Sequence, residues 1–136
     1  MDIIRSIMVA AGGLKAQNSR MRIIAENIAN ADSTAREPGG DPYRRKIATF
    51  QSHFDREIGA EIVRPGRVAR DDSEFKTEFN PGHPAADANG YVKMPNVNML
   101  VESMDMREAQ RSYEANLNVI GATRRMVLRT LDILRA

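Results

Sequence analysis

Two histidines, His53 and His83, are the candidate general bases of this 136-residue chain. His83 lies in a Pro-Gly-His-Pro turn, and His53 lies between Phe50 and Phe54. Neither histidine stands in a motif with a nucleophile, so the pattern predicts that the chain is not an enzyme and has no catalytic residues. The chain contains no cysteine, which excludes disulfide bonds, thiolate metal ligands and cysteine nucleophiles.

A second candidate for chemistry is the segment 87–90, Asp-Ala-Asn-Gly, which resembles the opening of a calcium-binding loop. The positions that should supply the next ligands hold aromatic and apolar residues, and the bidentate glutamate is missing. We therefore expect no metal and no cofactor. Instead we expect a turn in which Asn89 and Gly90 take positive φ before a strand that starts at Tyr91.

Arginine accounts for sixteen of the twenty basic residues, and the densest basic clusters are residues 44–46 and 124–125. Arginine is suited to bidentate, partly buried contacts with carboxylates of partner subunits. For residues 124–125 a solvated helix face is the alternative. The net charge is only +2, and no aromatic residues interleave the clusters, which argues against a nucleic-acid binder.

Apolar residues recur every seven positions near both ends of the chain. This pattern predicts one long helix from about residue 2 to 31 and another from about residue 98 to 135. The first stripe comprises Ile7, Leu14, Met21 and Ile28, with Ile4, Ala11, Asn18 and Ala25 at companion positions. The second stripe comprises Met99, Met106, Tyr113, Ile120, Val127 and Leu134, with Leu117 and Leu131 at companion positions. Because both stripes are narrow, we expect the helices to pair as an antiparallel coiled coil and to leave apolar surface for other subunits.

Charge is graded along the second predicted helix. Acidic residues are concentrated in its first half and arginines in its second half. The residues are Glu102, Asp105, Glu108 and Glu114, followed by Arg124, Arg125, Arg129 and Arg135. This polarity complements the helix dipole and favours head-to-tail attraction between staggered neighbours.

Residues 32–95 interrupt the helical pattern, because they hold all six prolines and six of the nine glycines. Short runs rich in strand-forming residues predict small strands joined by turns. The runs are residues 46–50, 60–64, 75–79 and 90–94. The predicted fold is therefore mainly α with a small β insert. Residues 1–31 and 96–136 form the predicted helical coiled-coil domain, and residues 32–95 form a turn-rich linker and insert.

Three residues of the first helix need a structural explanation. Gly12 and Gly13 each cost a helix about 1 kcal/mol relative to alanine, so either the helix kinks there or another backbone packs close to it. Asn18, at a companion position of the stripe, either fixes register and partner number or lies on a partly wet face.

The longest apolar stretch, residues 7–14, has eight residues, whereas a membrane-spanning helix needs about 18 or more. With the small residues around it, the stretch looks like the apolar region of a signal peptide. However, Asp2 places an acid where a signal peptide is positively charged, and the helical pattern continues through the cleavage position. We therefore expect that no signal peptide is cleaved.

Several segments, in order and spacing along the chain, resemble the family of flagellar rod, hook and hook-associated proteins. Two of them come at the end of the first predicted helix and after it: Asn-Ile-Ala-Asn-Ala-Asp-Ser-Thr at residues 27–34 and Pro-Tyr-Arg-Arg-Lys at residues 42–46. Others narrow the resemblance to a proximal rod protein. They are residues 80–90, 90–98, 104–116 and 128–134. The motif residues are Asn27, Asn30, Tyr43, Arg44, Arg45, Pro95, Asn96 and Asn98.

The resemblance implies a structural subunit of the bacterial flagellar basal body. Such subunits stack helically in the hollow rod that crosses the periplasm and transmits torque. They are exported uncleaved by the flagellar type III apparatus, and their paired helices form the inner tube wall. The implied partners are copies of this chain, the rod proteins FlgB, FlgF and FlgG, the base adaptor FliE and the rod cap FlgJ, with no nucleic acid and no small-molecule substrate. The residues expected at the assembly interface are Ile4, Ile7, Leu14, Met21, Ile28, Met106, Tyr113, Leu117, Ile120, Val127, Leu131 and Leu134.

Two other classes of protein stay open at the level of sequence. One is a helical regulator or adaptor that forms a small closed oligomer, which a fixed dimer without self-stacking would favour. The other is a metal-dependent enzyme that uses His53, His83 and Asp87, for which a metal-binding assay is the test.

Overall fold

Two long helices at the ends of the chain frame a middle segment of short strands. The computed structural model describes residues 3–135, in which helix α1 spans Ile3–Ala29 and helix α2 spans Met99–Arg135. The two helices confirm the prediction to within two residues, except that its start at Asp2 lies outside the described residues. Within that range, neither helix has the apolar length that a membrane crossing needs.

Asparagine side chains define two of the helix ends. Asn98 caps the start of α2, because its Oδ1 accepts hydrogen bonds from the backbone N–H groups of Leu100 (3.0 Å) and Val101 (3.4 Å). At the end of α1, Asn30 donates from Nδ2 to the carbonyl of Glu26 at 2.8 Å. These bonds satisfy backbone groups that the end of a helix leaves without an intrahelical partner.

Six short strands pair antiparallel as three two-stranded sheets. They are β1 Lys46–Ile47, β2 Phe50–Asp55, β3 Ala60–Pro65, β4 Ala69–Arg70, β5 Lys76–Phe79 and β6 Tyr91–Met94. Strand β1 pairs with β4, β2 with β3, and β5 with β6. The longest hairpin runs from Phe50 opposite Pro65 to Asp55 opposite Ala60, and Gly59 completes its turn at φ +61°.

Three of the four predicted runs are strands to within one residue, namely β3, β5 and β6. The first run, residues 46–50, is a strand over β1 and at its last residue, where β2 begins; the pattern predicts neither the rest of β2 nor β4. Strand β2 exposes nearly all of its side chains, so it lacks the alternation of apolar and polar residues that marks a half-buried strand. Strand β4 has two residues and exists only through its long-range pairing with β1.

The chain groups into two compact units, each of which contains part of both helices. Unit 1 comprises Met1–Met21, Thr49–Arg67 and Arg107–Ala136, of which residues 1, 2 and 136 lie outside the described part. Unit 2 comprises Arg22–Ala48 and Val68–Met106. Unit 1 therefore holds the β2–β3 hairpin, and unit 2 holds the other two strand pairs. The division into a helical domain and a turn-rich insert stays a prediction.

The helices pack together, and most of their buried residues are small or polar. On α1 the buried residues are Ala10, Ala16, Ile23, Ile24 and Asn27, and on α2 they are Glu102, Ala109 and Thr123. The companion positions Ala11, Asn18 and Ala25 are exposed. Pairing of the two sevenfold stripes as a coiled coil is therefore not confirmed. Small side chains let two helices approach closely and pack densely. A heptad pattern of large apolar residues does not include these small residues.

Helix α1 continues through Gly12 and Gly13, and both glycines lie close to other elements of unit 1. A Cβ on Gly12 would overlap Ile62 of β3 and come within 3.1 Å of the carbonyl oxygen of Val63. A Cβ on Gly13 would lie 2.8 Å from Oδ1 of Asn116 on α2. Close approach, and not a break in the helix, explains the two glycines.

Candidate functional site

A buried polar cluster in unit 2 joins α1, α2 and the segment between them. At its centre are Glu102 of α2 and Asn27 of α1, whose exposed fractions are 0% and 1%. Burying a carboxylate and an amide costs free energy unless their polar atoms find partners. The hydrogen bonds around these two side chains therefore decide whether the cluster is stable.

The polar atoms of the Asn27 side chain are fully used. Nδ2 donates to the carbonyl of Lys46 at 2.8 Å and to Oε2 of Glu102 at 3.1 Å. Oδ1 accepts from the backbone N–H of Lys46 and from the hydroxyl of Tyr43, both at 2.9 Å. Because Asn27 bonds to both backbone groups of Lys46, it holds residues 43–46 against α1 much as a neighbouring strand would.

Arg45 supplies the positive charge that faces Glu102. Its Nε donates to Oε1 of Glu102 at 2.5 Å, and its other nitrogens reach Asp71 at 3.3 Å and Asp105 at 3.8 Å. Burial acts to lower the pKa of Arg45, but the hydrogen bonds and charges of Glu102 and Asp71 outweigh it and raise the pKa above its ordinary value. Arg45 therefore remains a permanent cation at the edge of the cluster.

Asn96 ties the chain before α2 to Arg45 and to the loop at residues 71–73. Its Oδ1 accepts from the backbone N–H of Arg45 at 2.8 Å, and its Nδ2 donates to the carbonyl of Asp71 at 3.0 Å and to Oγ of Ser73 at 2.9 Å. Hydrogen bonds from the backbone and side chain of Ser73 lower the pKa of Asp71, and Arg45 lowers it further against the opposing effect of burial. Asp71 is thereby kept ionised opposite Arg45.

The same loop is held from the other side by Arg44. Its guanidinium donates to the carbonyls of Asp71 at 2.9 Å and Ser73 at 3.2 Å. The guanidinium carbon also lies 4.2 Å from the centre of the Phe75 ring, within the range of a cation–π interaction. Arg44 and Arg45 therefore bind groups of the chain itself.

Tyr43 is the member of the cluster whose ionisable group is kept neutral. Burial raises its pKa to about 12, and the charges of Glu26 and Glu102 add to this effect. Beside it, Lys46 forms an ion pair with Glu26. The hydroxyl of Tyr43 is thus kept protonated, as its donation to Asn27 requires.

The residues expected at the assembly interface divide by exposure. Ile4, Leu117, Leu131 and Leu134 are 48% to 77% exposed. The half-buried ones are Ile7, Leu14, Met21, Ile28, Met106, Tyr113, Ile120 and Val127. Other large apolar residues that the heptad pattern does not single out are also exposed, among them Leu100 (71%) and Met104 (63%). The role of all these residues in assembly stays a prediction.

Comparison with known proteins assigns both ends of the chain to flagellar families. Residues 7–36 match the family described as "Flagella basal body rod protein", and residues 88–133 match "Flagellar basal body rod FlgEFG protein C-terminal". The chain is 55% identical to the flagellar basal-body rod protein FlgC of Agrobacterium fabrum, over 94% of this chain and 92% of the relative. It is 38% identical to FlgC of Salmonella typhimurium over 98% of both chains, and 36% identical to FlgC of Bacillus subtilis over 98% and 99%.

The chain belongs to the FlgC family of flagellar basal-body rod proteins. It is a structural subunit of the basal-body rod, and its relatives are named as rod proteins and not as enzymes. The motif residues that resemble the family all lie in unit 2, where they build the cluster or its surroundings. Of those not described in the cluster, Asn30 and Asn98 cap helices, and Pro95 is buried. The FlgC motif in this chain is therefore a set of residues that folds unit 2.

Of the three residues of the metal-enzyme alternative, one is exposed and two accept hydrogen bonds from the backbone of their own turns. His53 is exposed on β2, and Nδ1 of His83 accepts a hydrogen bond from the backbone N–H of Ala85 at 3.0 Å. Oδ1 of Asp87 accepts from the N–H groups of Asn89 and Tyr91, both at 2.9 Å. Within residues 3–135, no three His, Asp or Glu side chains are grouped so that they could hold a metal ion.

The predicted turn at residues 87–90 is present, with one correction. Gly90 takes φ +83°, whereas in the described part of the chain no residue other than glycine has positive φ, so Asn89 does not. Oδ1 of Asp87 closes the turn by accepting hydrogen bonds from the backbone N–H groups of Asn89 and Tyr91. Gly90 alone supplies the positive φ of this turn.

Glu102 and Asp71 are the members of the cluster that sequence reasoning misses. Sequence groups Glu102 with the other acids in the first half of α2, but Glu102 lies three residues after Met99 and four before Met106, which places it on the apolar side of the predicted helix. An acid at such a position signals a buried partner. Asp71 carries no such signal, because its partner Arg45 is brought to it only by the fold.

Proposed function

We propose that this chain is a subunit of the proximal rod, where it stacks helically with copies of itself and with other rod proteins into a hollow shaft that transmits torque. The observation that carries the proposal is the exposure of large apolar side chains along both helices. They include Ile4 at 66%, Leu117 at 51% and Leu134 at 77%. A monomer that leaves so many aliphatic side chains in water gains free energy when neighbouring subunits cover them.

The proposal assigns different tasks to different parts of the chain. The helical segments, residues 1–31 and 96–136, line the inner wall of the tube, and residues 32–95 pack outward or against neighbours. Torque is then carried by many non-covalent contacts shared among subunits, so no catalytic group is needed. Subunit contacts that do not close into a ring produce a helical assembly.

The partners in this proposal are other subunits of the same structure. They are FlgB, FlgF and FlgG, with FliE at the base and FlgJ as the rod cap. Export by the flagellar type III apparatus without cleavage is part of the same proposal. The absence of cysteine supports it, because a chain without thiols cannot form wrong disulfides in an oxidising compartment.

Leu117→Asp tests the proposal in a bacterium that lacks its own copy of the gene. Leu117 is exposed, so the variant should fold and be exported, but its charge should prevent a neighbour from covering α2 and abolish rods and swimming. Asn118→Asp is the matched control, because it adds the same charge at the next, exposed and polar, position. The readouts are swimming on soft agar and rods counted in electron micrographs of basal bodies. Normal rods with Leu117→Asp would contradict the assignment of this surface to assembly.

A further inference from the structure

The end of α2 extends past the start of α1. In unit 1, Gly13 lies opposite Asn116, and Arg20 bonds to Glu108 at 3.3 Å, so the helices run antiparallel. Ile3 lies ten residues before Gly13, and Met126 lies ten residues after Asn116. Because the helices are antiparallel, Ile3 and Met126 therefore lie at the same level along the helix pair. Residues 127–135, which we call the overhang, lie beyond that level over roughly 13 Å of helix.

The apolar stripe of α2 continues into the overhang. Val127 is half-buried, and Leu131 and Leu134 follow it by four and seven residues, which places them on the same side of the helix. Leu131 is 48% exposed and Leu134 is 77% exposed. No described residue of α1 lies opposite them. The overhang is thus an extension of the helix-helix contact that lacks its second helix within residues 3–135.

Charge decides what kind of surface can cover the overhang. Arg129 and Arg135 lie on it together with a single acid, Asp132, and Arg124 and Arg125 lie within three residues of its start. Two overhangs would repel each other, which disfavours a symmetric contact between identical ends. The complementary surface must be acidic as well as apolar.

The two compact units of the chain carry opposite net charge. Unit 1 has twelve Lys and Arg against seven Asp and Glu, which gives +5. Unit 2 has eight Lys and Arg against eleven Asp and Glu, which gives −3. The charge is balanced along the sequence and segregated only by the fold. Unit 1 of one copy is therefore electrostatically complementary to unit 2 of another.

Unit 2 also offers exposed apolar side chains at the start of α2. Leu100 and Met104 are one helical turn apart and are 71% and 63% exposed. Asn96 bonds to the loop at residues 71–73, and the exposed acids Asp72 and Glu74 lie within this loop and directly after it. We call Leu100, Met104, Asp72 and Glu74 the receiving surface.

We propose that the overhang of one copy of this chain docks on the receiving surface of a second copy. Leu131 and Leu134 then cover Leu100 and Met104, and the arginines of the overhang face Asp72 and Glu74. The contact is heterologous, because each copy uses one surface as donor and a different one as acceptor. This inference rests on the proposed function and names the contact through which copies of the chain associate.

The proposed contact is small and therefore weak as a single pair. A helix end of this length covers less area than the interfaces of roughly 1,200 Å² or more that hold stable complexes together. Association should accordingly depend on protein concentration. It should also weaken when salt screens the charges, since exposed charges are largely screened beyond about 8 to 10 Å at physiological salt.

Mixing two differently disabled variants of the full chain tests the proposal. Leu131→Asp with Leu134→Asp disables the donor surface, and Leu100→Asp with Met104→Asp disables the receiving surface. Each variant alone should associate at least about tenfold more weakly than the unaltered chain, because a charge replaces the central apolar contact. An equimolar mixture should form a one-to-one dimer that grows no further, because one competent donor and one competent acceptor remain. Sedimentation velocity over a concentration series measures all three samples.

Two controls separate this contact from general damage. Ile133→Asp adds a charge at an exposed position of the overhang that lies at least about 100° around the helix from both Leu131 and Leu134, and should leave association unchanged. Circular dichroism of every variant should match the unaltered chain, because the substituted side chains are exposed. A variant that loses helix is replaced by Arg129→Glu with Arg135→Glu, which should lower association without removing apolar contacts.

Three outcomes would overturn the proposal. They are an unaltered chain that stays monomeric at all concentrations, disabled variants that associate normally, and a mixture that does not dimerise. Binding of the overhang to a different rod protein alone would also overturn it, since the proposal commits to a second copy. Each of these results leaves the proposed rod function to be decided by swimming and by basal bodies in the complementation experiment, so the two failures are distinguishable.

Discussion

At the scale of single residues, the centre of unit 2 is a carboxylate and an amide completely removed from water. Glu102 is balanced by Arg45, and Asn27 is bonded on both of its polar atoms. A buried ion pair of this kind contributes little net stability compared with a well-packed apolar core, but breaking it by removing one partner is costly. Here the ion pair makes the fold specific, because its hydrogen bonds are satisfied only when α1, α2 and residues 43–46 occupy one arrangement.

We predict that Glu102→Ala lowers the free energy of unfolding by about 2–4 kcal/mol, because it leaves Arg45 and Asn27 without their buried acceptor. Urea unfolding followed by circular dichroism measures the loss. Glu108→Ala is the control, since Glu108 bonds to Arg20 with its side chain 67% exposed. A surface pair of that kind contributes about 0–1 kcal/mol. Equal losses for the two variants would contradict a structural role for the buried cluster.

We predict a loss of stability at alkaline pH that depends on Tyr43. Burial raises its pKa from 10.0 to about 12, so the folded chain holds the phenolic proton more tightly than the unfolded chain does. Its contribution is complete below pH 10 and is lost as the pH rises through about 12. Urea unfolding at several pH values should show a steeper decline for the unaltered chain than for Tyr43→Phe. Parallel curves for the two proteins would refute this assignment.

At the scale of elements, small and polar residues determine how the helices are placed. Gly12 lets the β2–β3 hairpin rest on α1, and Gly13 lets the side chain of Asn116 approach from α2. Asparagines end one helix and start the other. The large apolar residues of the heptad pattern are half-buried or exposed.

Gly12→Ala and Gly13→Ala should differ although they are neighbours with the same helix propensity. We predict that Gly12→Ala lowers the free energy of unfolding by about 1–3 kcal/mol, because its Cβ meets Ile62 and the backbone of Val63. Gly13→Ala meets only the end of the Asn116 side chain, which can rotate away. The helix gain of about 1 kcal/mol should then leave Gly13→Ala near neutral. Thermal unfolding of both variants is the measurement, and the reverse order would exclude the close approach of the hairpin.

Asn98→Ala should destabilise the start of α2 by about 1 kcal/mol, because the N–H groups of Leu100 and Val101 lose their acceptor. Asn118→Ala in the middle of the same helix should be neutral or slightly stabilising, since alanine has the higher helix propensity. Chemical unfolding of the pair checks the difference. A loss in Asn118→Ala as large as in Asn98→Ala would mean that capping is not the cause.

At the scale of the whole molecule, the fold sorts charge that is evenly spread along the sequence. Unit 1 becomes basic and unit 2 acidic, while the total remains +2. The same fold leaves the last residues of α2 without a helix opposite them in the described chain. A subunit with opposite charges on its two units and an uncovered helix end is suited to association between copies.

We predict that hydrogen exchange of the monomer distinguishes the overhang from the rest of α2. Amides of residues 127–135 should exchange faster than those of residues 107–123, because only the latter lie opposite α1. The measurement is exchange followed by mass spectrometry at low protein concentration, repeated at high concentration. Docking should slow exchange in the overhang at high concentration. Equal protection of both segments in the monomer would contradict the exposure of the overhang.

The sequence alone determined the helices, most of the strands, the glycine turn before β6 and the family. The apolar period of a helix and the effects of proline and glycine depend on residues close together in sequence. A short stretch of sequence is therefore enough to recognise them. The tertiary structure decided which side of α1 is buried, that Glu102 is interior and paired with Arg45, and that charge separates into two units. These features depend on residues far apart in sequence, such as Asn27 and Glu102, and no local pattern specifies which distant partners the folded chain brings together.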